Sequence, residues 1–371
     1  MTPGRRGGID PNAWDESRIR DRPSKRGSRP RTKERPSHED AIIGRVTTVD
    51  RGRYRVRLPD GVMVTAMRAK ELRRTPVVTG DRVALVGDLS GNEGSLARMV
   101  RVEDRATVLR RSADDTDSYE RVVVANVDIL VIMVAAANPE PRTGFIDRAL
   151  VAAYDAGITP LLCITKTDLR DPSELIAHYA DVDLEILTSQ SADEHDDALL
   201  DNALLAQILD RLHGHVSALV GPSGVGKSTL INALTGADRA TGHVNAVTGR
   251  GRHTSSSALA LPLSDDDATW LIDTPGIRSF GLGLVDPDHL VEAFDELAPA
   301  IADCPKGCEH TEASPGCALD AWVAGGQAGS SGAARLASLR RLLGNRGTND
   351  HDERPTADPP HQESGGTALG G

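Results

Sequence analysis

Short alternations of apolar and polar residues predict a β-rich region near the beginning of the chain. Between residues 41 and 104, five such runs are separated by turn signals such as PDG and TGD. The runs are AIIGRVTTV, RYRVRL, VMVTAM, DRVALVGD and SLARMVRV. Five short strands suit a small barrel, and the OB-fold is the commonest such barrel with a nucleic-acid function. A barrel with a purely structural role is the alternative.

A second pattern, in which buried strands alternate with helices, extends from about residue 105 to 298. Continuous apolar runs are typical of parallel strands that are covered on both faces. The runs here are VDILVIMVAAA, TPLLCIT, HVSALVG and TWLIDTPG. Helical segments such as FIDRALVAAYDAG and LLDNALLAQILDRL lie between them. The alternation predicts a doubly wound α/β domain.

Neither end of the chain shows apolar periodicity. Residues 1–40 are rich in Arg, Pro, Gly and Ser, and residues 346–371 in Asp, Pro, Gly and Thr, so both are predicted to be disordered tails. Residues 299–345 contain three of the 4 cysteines and several leucines at helical spacing. This segment is predicted to be a small C-terminal metal-binding domain with helices.

Charge and hydropathy narrow the function classes. The formal net charge is −11, but residues 1–105 carry 24 Lys and Arg against 15 Asp and Glu, which indicates that only this part contacts a polyanion. There is no run of about 18 apolar residues and no stretch of signal-peptide type. We therefore expect a cytoplasmic protein without a membrane partner.

The segment GPSGVGKST, residues 221–229, has the form of a phosphate-binding loop. Its three glycines would let successive N–H groups face a pyrophosphate, and the helix that begins near Lys227 adds its N-terminal dipole. Lys227 is expected to reach the β- and γ-phosphates, and Ser228 to ligate magnesium. The loop follows an apolar strand and opens a helix, which favours this interpretation over a glycine-rich turn.

The run LIDTPG ends another apolar strand about 50 residues farther along the chain. Asp273 is placed to hold magnesium through water, and the N–H of Gly276 can contact a γ-phosphate. A strand that ends in Asp and a turn is common. Downstream of a phosphate loop, however, the pattern indicates a switch segment.

The motif TKTD, residues 165–168, indicates which base is bound. An aspartate carboxylate only accepts hydrogen bonds, so it matches the N1–H and exocyclic amine of guanine and not the edge of adenine. Asp168 is expected to read guanine, and the stem of Lys166 to cover it. A surface loop is the alternative, which the preceding buried strand disfavours. The segment TSQ, 188–190, is expected to support the base.

These signals occur in the order base-reading loop, support loop, phosphate loop, switch segment (GRGRHTS, 249–255) and DTPG. This is the usual GTPase order cut and rejoined, which a domain with neighbouring termini tolerates. The sequence therefore predicts one circularly permuted nucleotide site. The residues predicted to bind nucleotide are Thr165, Lys166, Asp168, Ser189, Gly221, Pro222, Ser223, Gly224, Val225, Gly226, Lys227, Ser228, Thr229, Asp273 and Gly276.

Three cysteines and a histidine are crowded into a short polar segment: Cys304, Cys308, His310 and Cys317. Three thiolates and one imidazole make a closed tetrahedral site, so we expect one structural zinc ion per chain. Unliganded core or reactive cysteines are the alternative. Cys163 lies in the apolar run LLCI and is expected to be core.

Four arginines occupy every second position of the run RGRYRVRL: Arg51, Arg53, Arg55 and Arg57. In a strand they would share one face and suit a phosphate backbone, with a solvated face as the alternative. Tyr54 is the sole aromatic residue between 41 and 104, so stacking on bases would be weak. Recognition of folded RNA through its backbone is therefore favoured.

With these motifs the chain resembles the ribosome-small-subunit-dependent GTPase A family of circularly permuted GTPases. The resemblance covers residues 41–345 and rests on TKTD, GPSGVGKS, GRGRHTS (249–255), DTPGIRSFGL (273–282) and the Cys/His cluster. Here the spacers within that cluster number three, one and six residues, whereas the family commonly has four, one and five with the same total span.

The resemblance implies a magnesium-dependent GTPase that acts late in maturation of the small ribosomal subunit. It implies hydrolysis of GTP to GDP and phosphate, stimulated by the subunit, and contact of the zinc-bearing domain with 16S rRNA. We expect no DNA partner and a monomer. The expected fold class is multidomain: an OB-fold barrel (41–104), a permuted α/β P-loop GTPase domain (105–298) and a small zinc domain with helices (299–345).

Two residues of the segment GRGRHTS complete the expected catalytic set with Lys227. In Ras-type enzymes a Gln after the Asp-x-x-Gly motif orients the attacking water. That position is Ile277 here, which cannot hydrogen-bond. Thr254 is assigned to magnesium and the γ-phosphate, so His253 remains to position the water, as the resemblance also implies. A solvent-exposed loop histidine is the alternative.

The leading hypothesis is a GTP-hydrolysing assembly factor that docks on ribosomal RNA. A P-loop ATPase or kinase is one rival, and Asp168 speaks against it. The other rival is an RNA-binding module that keeps nucleotide only as a structural ligand. Thr254 and Asp273 disfavour it.

Overall fold

The computed structural model describes most of the chain between the two predicted tails. The described residues are 38–72, 75–112, 120–189, 202–235, 258–264, 268–275, 277, 280 and 282–344. The predicted tails lie outside the described residues except for 38–40, and so does the segment GRGRHTS. From Asp40 onward the chain forms one compact unit by its contacts.

Five strands close into a barrel. They are β1 (Ile42–Asp50), β2 (Arg53–Arg57), β3 (Met63–Arg68), β4 (Arg82–Gly87) and β5 (Ala97–Val102). Around the barrel the order is β1, β2, β3, β5, β4, and pairing of β4 with β1 closes it. Strands β3 and β5 are parallel, whereas the other pairs are antiparallel. The five alternating runs thus form the OB-like barrel that the sequence predicts, with Tyr54 buried inside it.

The prediction that Arg51, Arg53, Arg55 and Arg57 form a row on one strand face is only partly correct. Strand β2 begins at Arg53, because Arg51 lies in the turn before it with a φ of 43°. Arg53 is exposed, but Arg57 is half-buried and its guanidinium carbon lies 5.9 Å from the ring centre of Trp270. One end of the row therefore faces solvent, while the other packs against the α/β sheet.

Eight further strands follow the barrel. A separate antiparallel hairpin contains β6 (Val108–Ser112) and β7 (Glu120–Ala125). The others are β8 (Ile129–Ala135), β9 (Thr159–Thr165), β10 (Glu185–Thr188), β11 (Val216–Val220), β12 (Leu259–Pro262) and β13 (Trp270–Asp273). They are ordered β10, β9, β8, β11, β13, β12, with β12 antiparallel and the rest parallel. Strand β12 also pairs with β1, so the α/β sheet continues into the barrel.

Helices cover both faces of this sheet. They are α1 (Thr143–Asp155), α2 (Ser173–His178), α3 (Asn202–Leu212), α4 (Lys227–Thr235), α5 (Pro287–Glu292), α6 (Ala318–Ala324) and α7 (Gly332–Gly344). Alternate residues of β8 belong to two separate hydrophobic clusters, since successive strand side chains point to opposite faces. One cluster includes α3 and α4, and the other includes α1, α5, α6 and α7. This is the predicted doubly wound arrangement.

Arginines attach the C-terminal helix to its neighbours. Arg341 donates to both carboxylate oxygens of buried Asp147 in α1, at 2.6 and 2.7 Å. Arg340 forms a bidentate pair with Asp320 in α6, with both distances 2.8 Å. These arginines hold α7 against α1 and α6. In the described part of the chain, no helix has both the length and the apolar character of a membrane span.

Candidate nucleotide site and metal centre

The predicted nucleotide motifs converge at the carboxyl ends of the central parallel strands. TKTD follows β9, the phosphate loop follows β11, and Asp273 ends β13. Strand order runs outward to β10 on one side of β8 and to β12 on the other side of β11. In open α/β sheets, ligands bind outside the carboxyl ends at such a switch point. The permuted motifs therefore lie together at one end of the parallel strands.

The phosphate loop curls tightly between β11 and α4. A Cβ at Gly221 would lie 2.4 Å from the carbonyl oxygen of Met133, so only glycine fits against β8. Gly224 and Gly226 have φ of 84° and 98°, in the left-handed region that favours glycine. The Lys227 Nζ donates to the carbonyl oxygens of Gly221 and Pro222, at 2.5 and 2.6 Å. The ammonium thus lies inside the loop at the N-terminus of α4.

Lys227 and Asp273 perturb each other across this loop. Burial lowers the pKa of Lys227, and the nearby Asp273 carboxylate opposes that shift. Burial likewise raises the pKa of Asp273, which Lys227 and the N–H of Thr274 oppose. The Thr274 hydroxyl donates to Leu219 of β11 at 2.6 Å, which fixes the end of β13 beside the loop. Paired groups with opposed pKa shifts in a cleft are typical of functional sites.

Thr165, the first residue of TKTD, joins the base-reading loop to the phosphate loop. Its side chain is 1% exposed, and its hydroxyl lies 2.9 Å from the carbonyl oxygen of Val225 and 3.2 Å from that of Val134. The nearer contact links β9 to the centre of GPSGVGKST. Val225 is itself buried at 1% exposure, so this contact is internal to the protein.

The rest of TKTD is held by its neighbours on both sides. Lys166 Nζ donates to the carbonyl oxygen of Asn138, in the loop after β8. The Thr167 hydroxyl donates to the carbonyl oxygen of Ser189 at 2.5 Å, and Ser189 Oγ accepts from Thr167 N at 3.4 Å. Asp168 is exposed at the end of this braced segment. Thr167 lies within TKTD, and Asn138 closely follows the apolar strand β8. The sequence pattern nevertheless does not indicate that these two residues hold the motif in place.

The remaining predicted nucleotide residues differ in exposure. Ser223 and Ser228 are exposed, and Pro222 and Thr229 are half-buried. The predictions for His253, Thr254 and Gly276 fall outside the described residues.

Ile277 lies where Ras-type enzymes have their Gln. It is 5% exposed and belongs to the cluster that also holds Phe280 and Phe145. The rings of Phe145 and Phe280 are 5.8 Å apart, which attaches this segment to α1. Ile277 therefore serves the core and offers no hydrogen bond to a water molecule.

The predicted metal ligands come together in the C-terminal region. One ligand atom from each residue lies within 4.8 Å of the others, in the set Cys304, Cys308, His310 and Cys317. His310 Nδ1 is 3.6 Å from Cys304 Sγ and 3.7 Å from Cys317 Sγ. Burial raises the pKa of Cys317 to about 11, and the neighbouring thiols add to the shift. A bound cation would reverse it by stabilising thiolates. This cluster can hold a metal ion.

Asp288 of α5 orients the histidine of this cluster. Its Oδ1 lies 2.7 Å from His310 Nε2, and His310 is fully buried. Because a carboxylate accepts, Nε2 carries the proton and Nδ1 presents its lone pair to the sulfur atoms. Metal-binding histidines commonly have such a carboxylate partner. No sequence signal connects Asp288 to the cysteine cluster, so its contact with His310 could not be predicted from the sequence.

The fold and the site together define a circularly permuted P-loop GTPase. A family model described as RsgA GTPase matches residues 102–283. A relative from Pseudomonas aeruginosa (strain LESB58), named "Small ribosomal subunit biogenesis GTPase RsgA", is 37% identical over 279 residues, which are 74% of this chain and 77% of the relative. A relative of the same name from Bacteroides fragilis is 32% identical over 72% of this chain and 86% of its own length. The chain belongs to the RsgA GTPase family.

Solved structures agree on the fold. YjeQ from Thermotoga maritima aligns with a TM-score of 0.54 at 23% identity, covering 82% of this chain and 99% of YjeQ. YloQ, described as a circularly permuted GTPase, aligns with a TM-score of 0.54 at 19% identity, covering 87% of this chain and 99% of YloQ. The predicted fold class is therefore confirmed, and the family's name assigns GTP hydrolysis to it.

Proposed function

We propose that this chain is a GTPase that acts in biogenesis of the small ribosomal subunit, as its relatives are named. The observation that carries the assignment of the two motifs to one nucleotide is the hydrogen bond from Thr165 to Val225 at 2.9 Å. It holds the loop that ends in Asp168 against the phosphate loop, so one nucleotide can contact both. Hydrolysis to GDP and phosphate follows from the family, with the subunit as stimulator.

Each group in the site then has a chemical task. The exposed Asp168 carboxylate accepts from the guanine N1–H and amine. Lys227 exchanges its bonds to Gly221 and Pro222 for bonds to β- and γ-phosphate oxygens, which are better partners for a cation than neutral carbonyls. Ser228 at the start of α4 and Asp273 at the end of β13 would hold magnesium, with Asp273 acting through water.

Three further assignments rest on the sequence motifs. Thr254 would contact magnesium and the γ-phosphate, the N–H of Gly276 would contact that phosphate, and His253 would position the attacking water. Magnesium with GTP supplies charge neutralisation on the phosphates. These residues complete the catalytic set of the proposed reaction.

The metal at the Cys/His cluster is proposed to be zinc. Three sulfur ligands and one imidazole are the donor set of structural zinc sites, which leave no position for water. Burial of Cys317 and His310 suits a structural ion. His310 contacts Asp288 of α5 and Cys317 directly precedes α6, so a bound ion would hold α5, α6 and the segment around Cys304 together.

Cys308→Ala is expected to lose the metal and unfold residues 300–320, while GTP binding persists. Elemental analysis of protein purified without chelator, combined with nucleotide titration, checks this. Cys163→Ala is the matched control, because that thiol is fully buried in β9 and touches none of the four ligands. Wild-type protein without stoichiometric zinc would contradict the assignment.

The proposed docking partner of the barrel is folded 16S rRNA, with the chain acting as a cytoplasmic monomer and not on DNA. The exposed end of the arginine row at Arg51 and Arg53 supports this, because guanidinium groups pair with phosphate oxygens. Buried Tyr54 offers no surface for stacking a base. Recognition would then depend on backbone charge and shape.

Replacing Arg51 and Arg53 together with Ser is expected to weaken subunit binding and lower its salt dependence. Each lost phosphate contact reduces the slope of log affinity against log salt by about 0.7 to 1. Binding measured from low to moderate salt checks this. Arg101→Ser is the control, since Arg101 is already paired with Glu103 at 2.8 Å. An unchanged slope in the double variant would identify the row as a solvated face.

The experiment that tests the whole proposal is nucleotide turnover with and without purified small subunits. GTP hydrolysis that rises on addition of subunits, with ATP left intact, is the expected result. Equal use of ATP would favour the kinase or ATPase rival. Tight GTP binding with no turnover, even with subunits, would favour an RNA-binding module that carries nucleotide as a structural ligand.

A further inference from the structure

Contacts between the barrel and the α/β sheet are concentrated on one hairpin, β12–β13. The Thr79 hydroxyl, between β3 and β4, donates to the carbonyl oxygen of Ala258 at 3.0 Å. Thr48 of β1 pairs with Leu259, the first residue of β12. At the far end of the hairpin, Trp270 is fully buried beneath two barrel arginines.

The stack on Trp270 has a specific geometry. The guanidinium carbons of Arg45 and Arg57, which are directly paired across β1 and β2, lie 5.2 and 5.9 Å from the ring centre. Both distances are within the range of cation–π attraction, which Arg favours with Trp. The barrel thus contacts both ends of the hairpin through different side chains.

This hairpin also contains Asp273, a residue of the candidate nucleotide site. Leu259 pairs with Asp273, so the residue that contacts the barrel lies directly beside the carboxylate coupled to Lys227. A displacement of β12 against β1 would therefore move Asp273 relative to the phosphate loop. Packed cores switch between discrete arrangements and do not deform continuously, so such a displacement transmits along the hairpin.

The segment around Thr79 is rigidly held. Thr79 is 2% exposed, and its carbonyl oxygen accepts from Ala125 N at 3.1 Å. A Cβ at the neighbouring Gly80 would lie 2.1 Å from the Ala125 carbonyl oxygen and 3.3 Å from Ile272 Cδ1 of β13. Gly80 has a φ of 91°, and its N–H donates to Val46 of β1. Thr79 is therefore bonded through its backbone to β7, joined to the barrel strand β1 through the neighbouring Gly80, and bonded through its hydroxyl to the residue that precedes the hairpin.

We infer that Thr79 is a positioning residue for the GTPase reaction: from the barrel, it sets the position of β12–β13 and thereby of Asp273. This rests on the proposed function and extends it, because it makes barrel docking and nucleotide state energetically coupled. Coupling is reciprocal, so the nucleotide must change subunit affinity by the same factor as the subunit changes nucleotide affinity. The stack of Arg45 and Arg57 on Trp270 supports the far end of the same hairpin.

The test compares Thr79→Val with Thr47→Val. Both replace a buried threonine by its isostere, but the Thr47 hydroxyl bonds to Arg55 within the barrel, at 3.2 Å. For each protein the ratio of subunit affinity with a non-hydrolysable GTP analogue to that with GDP is measured. This ratio is expected to be the same in the wild type and in Thr47→Val. In Thr79→Val it is expected to lie about fivefold nearer to a value of 1. Equal melting temperatures of the two variants show that stability does not explain the difference.

A second measurement needs no subunit. Hydrogen exchange in residues 42–50 and 78–82 is compared between the GTP-analogue and GDP forms. It is expected to differ in wild type and Thr47→Val but not in Thr79→Val. The inference would be overturned if the two variants had equal affinity ratios and equal exchange responses. It would also be overturned if hydrogen exchange in the wild-type barrel were the same with the GTP analogue and with GDP. If the wild type did not bind the subunit but its hydrogen exchange still differed between the two nucleotide forms, the proposed function would be refuted and the inference about Thr79 would stand.

Discussion

Asp168→Asn is expected to weaken GTP binding by about 100-fold or more, because a charged group that accepts two hydrogen bonds is replaced by a neutral amide that can accept only one of them. The asparagine amide also places a donor against the guanine amine, which is itself a donor. Xanthine carries an oxygen at that position, so the same amide becomes complementary to xanthosine triphosphate. The variant should therefore prefer xanthosine triphosphate to GTP, reversing the order of the wild type.

Competition binding with GTP, xanthosine triphosphate and ATP measures this reversal. Glu174→Gln is the matched control, because it removes one negative charge from the exposed start of α2, close to the same loop, without a predicted base contact. Its nucleotide preference should stay that of the wild type. If Asp168→Asn binds GTP with unchanged affinity, TKTD does not read the base.

The hydrogen bonds that hold TKTD in place support the expected effect of Asp168→Asn. Thr167 is tied to Ser189, and Lys166 to the Asn138 carbonyl, so Asp168 follows a segment with few freedoms left. Little of the backbone that leads to Asp168 then has to be ordered when guanine binds. Replacement of the carboxylate by an amide is therefore expected to appear largely in the binding free energy.

Much of the fold could be predicted because its strands are periodic or continuous in apolar residues. Alternation is clearest in β2, where Tyr54 and Val56 are inside, whereas β1 and β4 each contain consecutive buried residues. Strand β8 is buried at all of its positions, which is the pattern of a parallel strand covered on both faces. The motifs could be placed because each one directly follows such a strand.

Contacts between distant elements could not be predicted in this way. Thr79 and Ala258 are 179 residues apart, and nothing in either local pattern indicates that they meet. Arg57 continues the alternation of Arg53, yet packs on Trp270, because the barrel wall at that point faces the α/β sheet. Periodicity identifies a strand's outer face but not whether solvent or another domain covers it.

His253→Ala is expected to lose subunit-stimulated GTP hydrolysis by about 100-fold or more, the usual contribution of a positioned acid–base side chain. Ile277 cannot replace it, since its side chain is apolar and 5% exposed within the core. GTP affinity and subunit binding should remain, because Asp168, Lys227 and the barrel supply them. The variant would thus separate binding from turnover.

Single-turnover hydrolysis with saturating subunits measures the effect, with GTP binding determined on the same preparations. His213→Ala is the control. His213 is an exposed histidine between α3 and the start of β11, whereas the phosphate loop follows the end of β11. It should hydrolyse GTP like the wild type. Full stimulation of His253→Ala would show that the attacking water is positioned by another group, and the subunit itself would then be the source to examine.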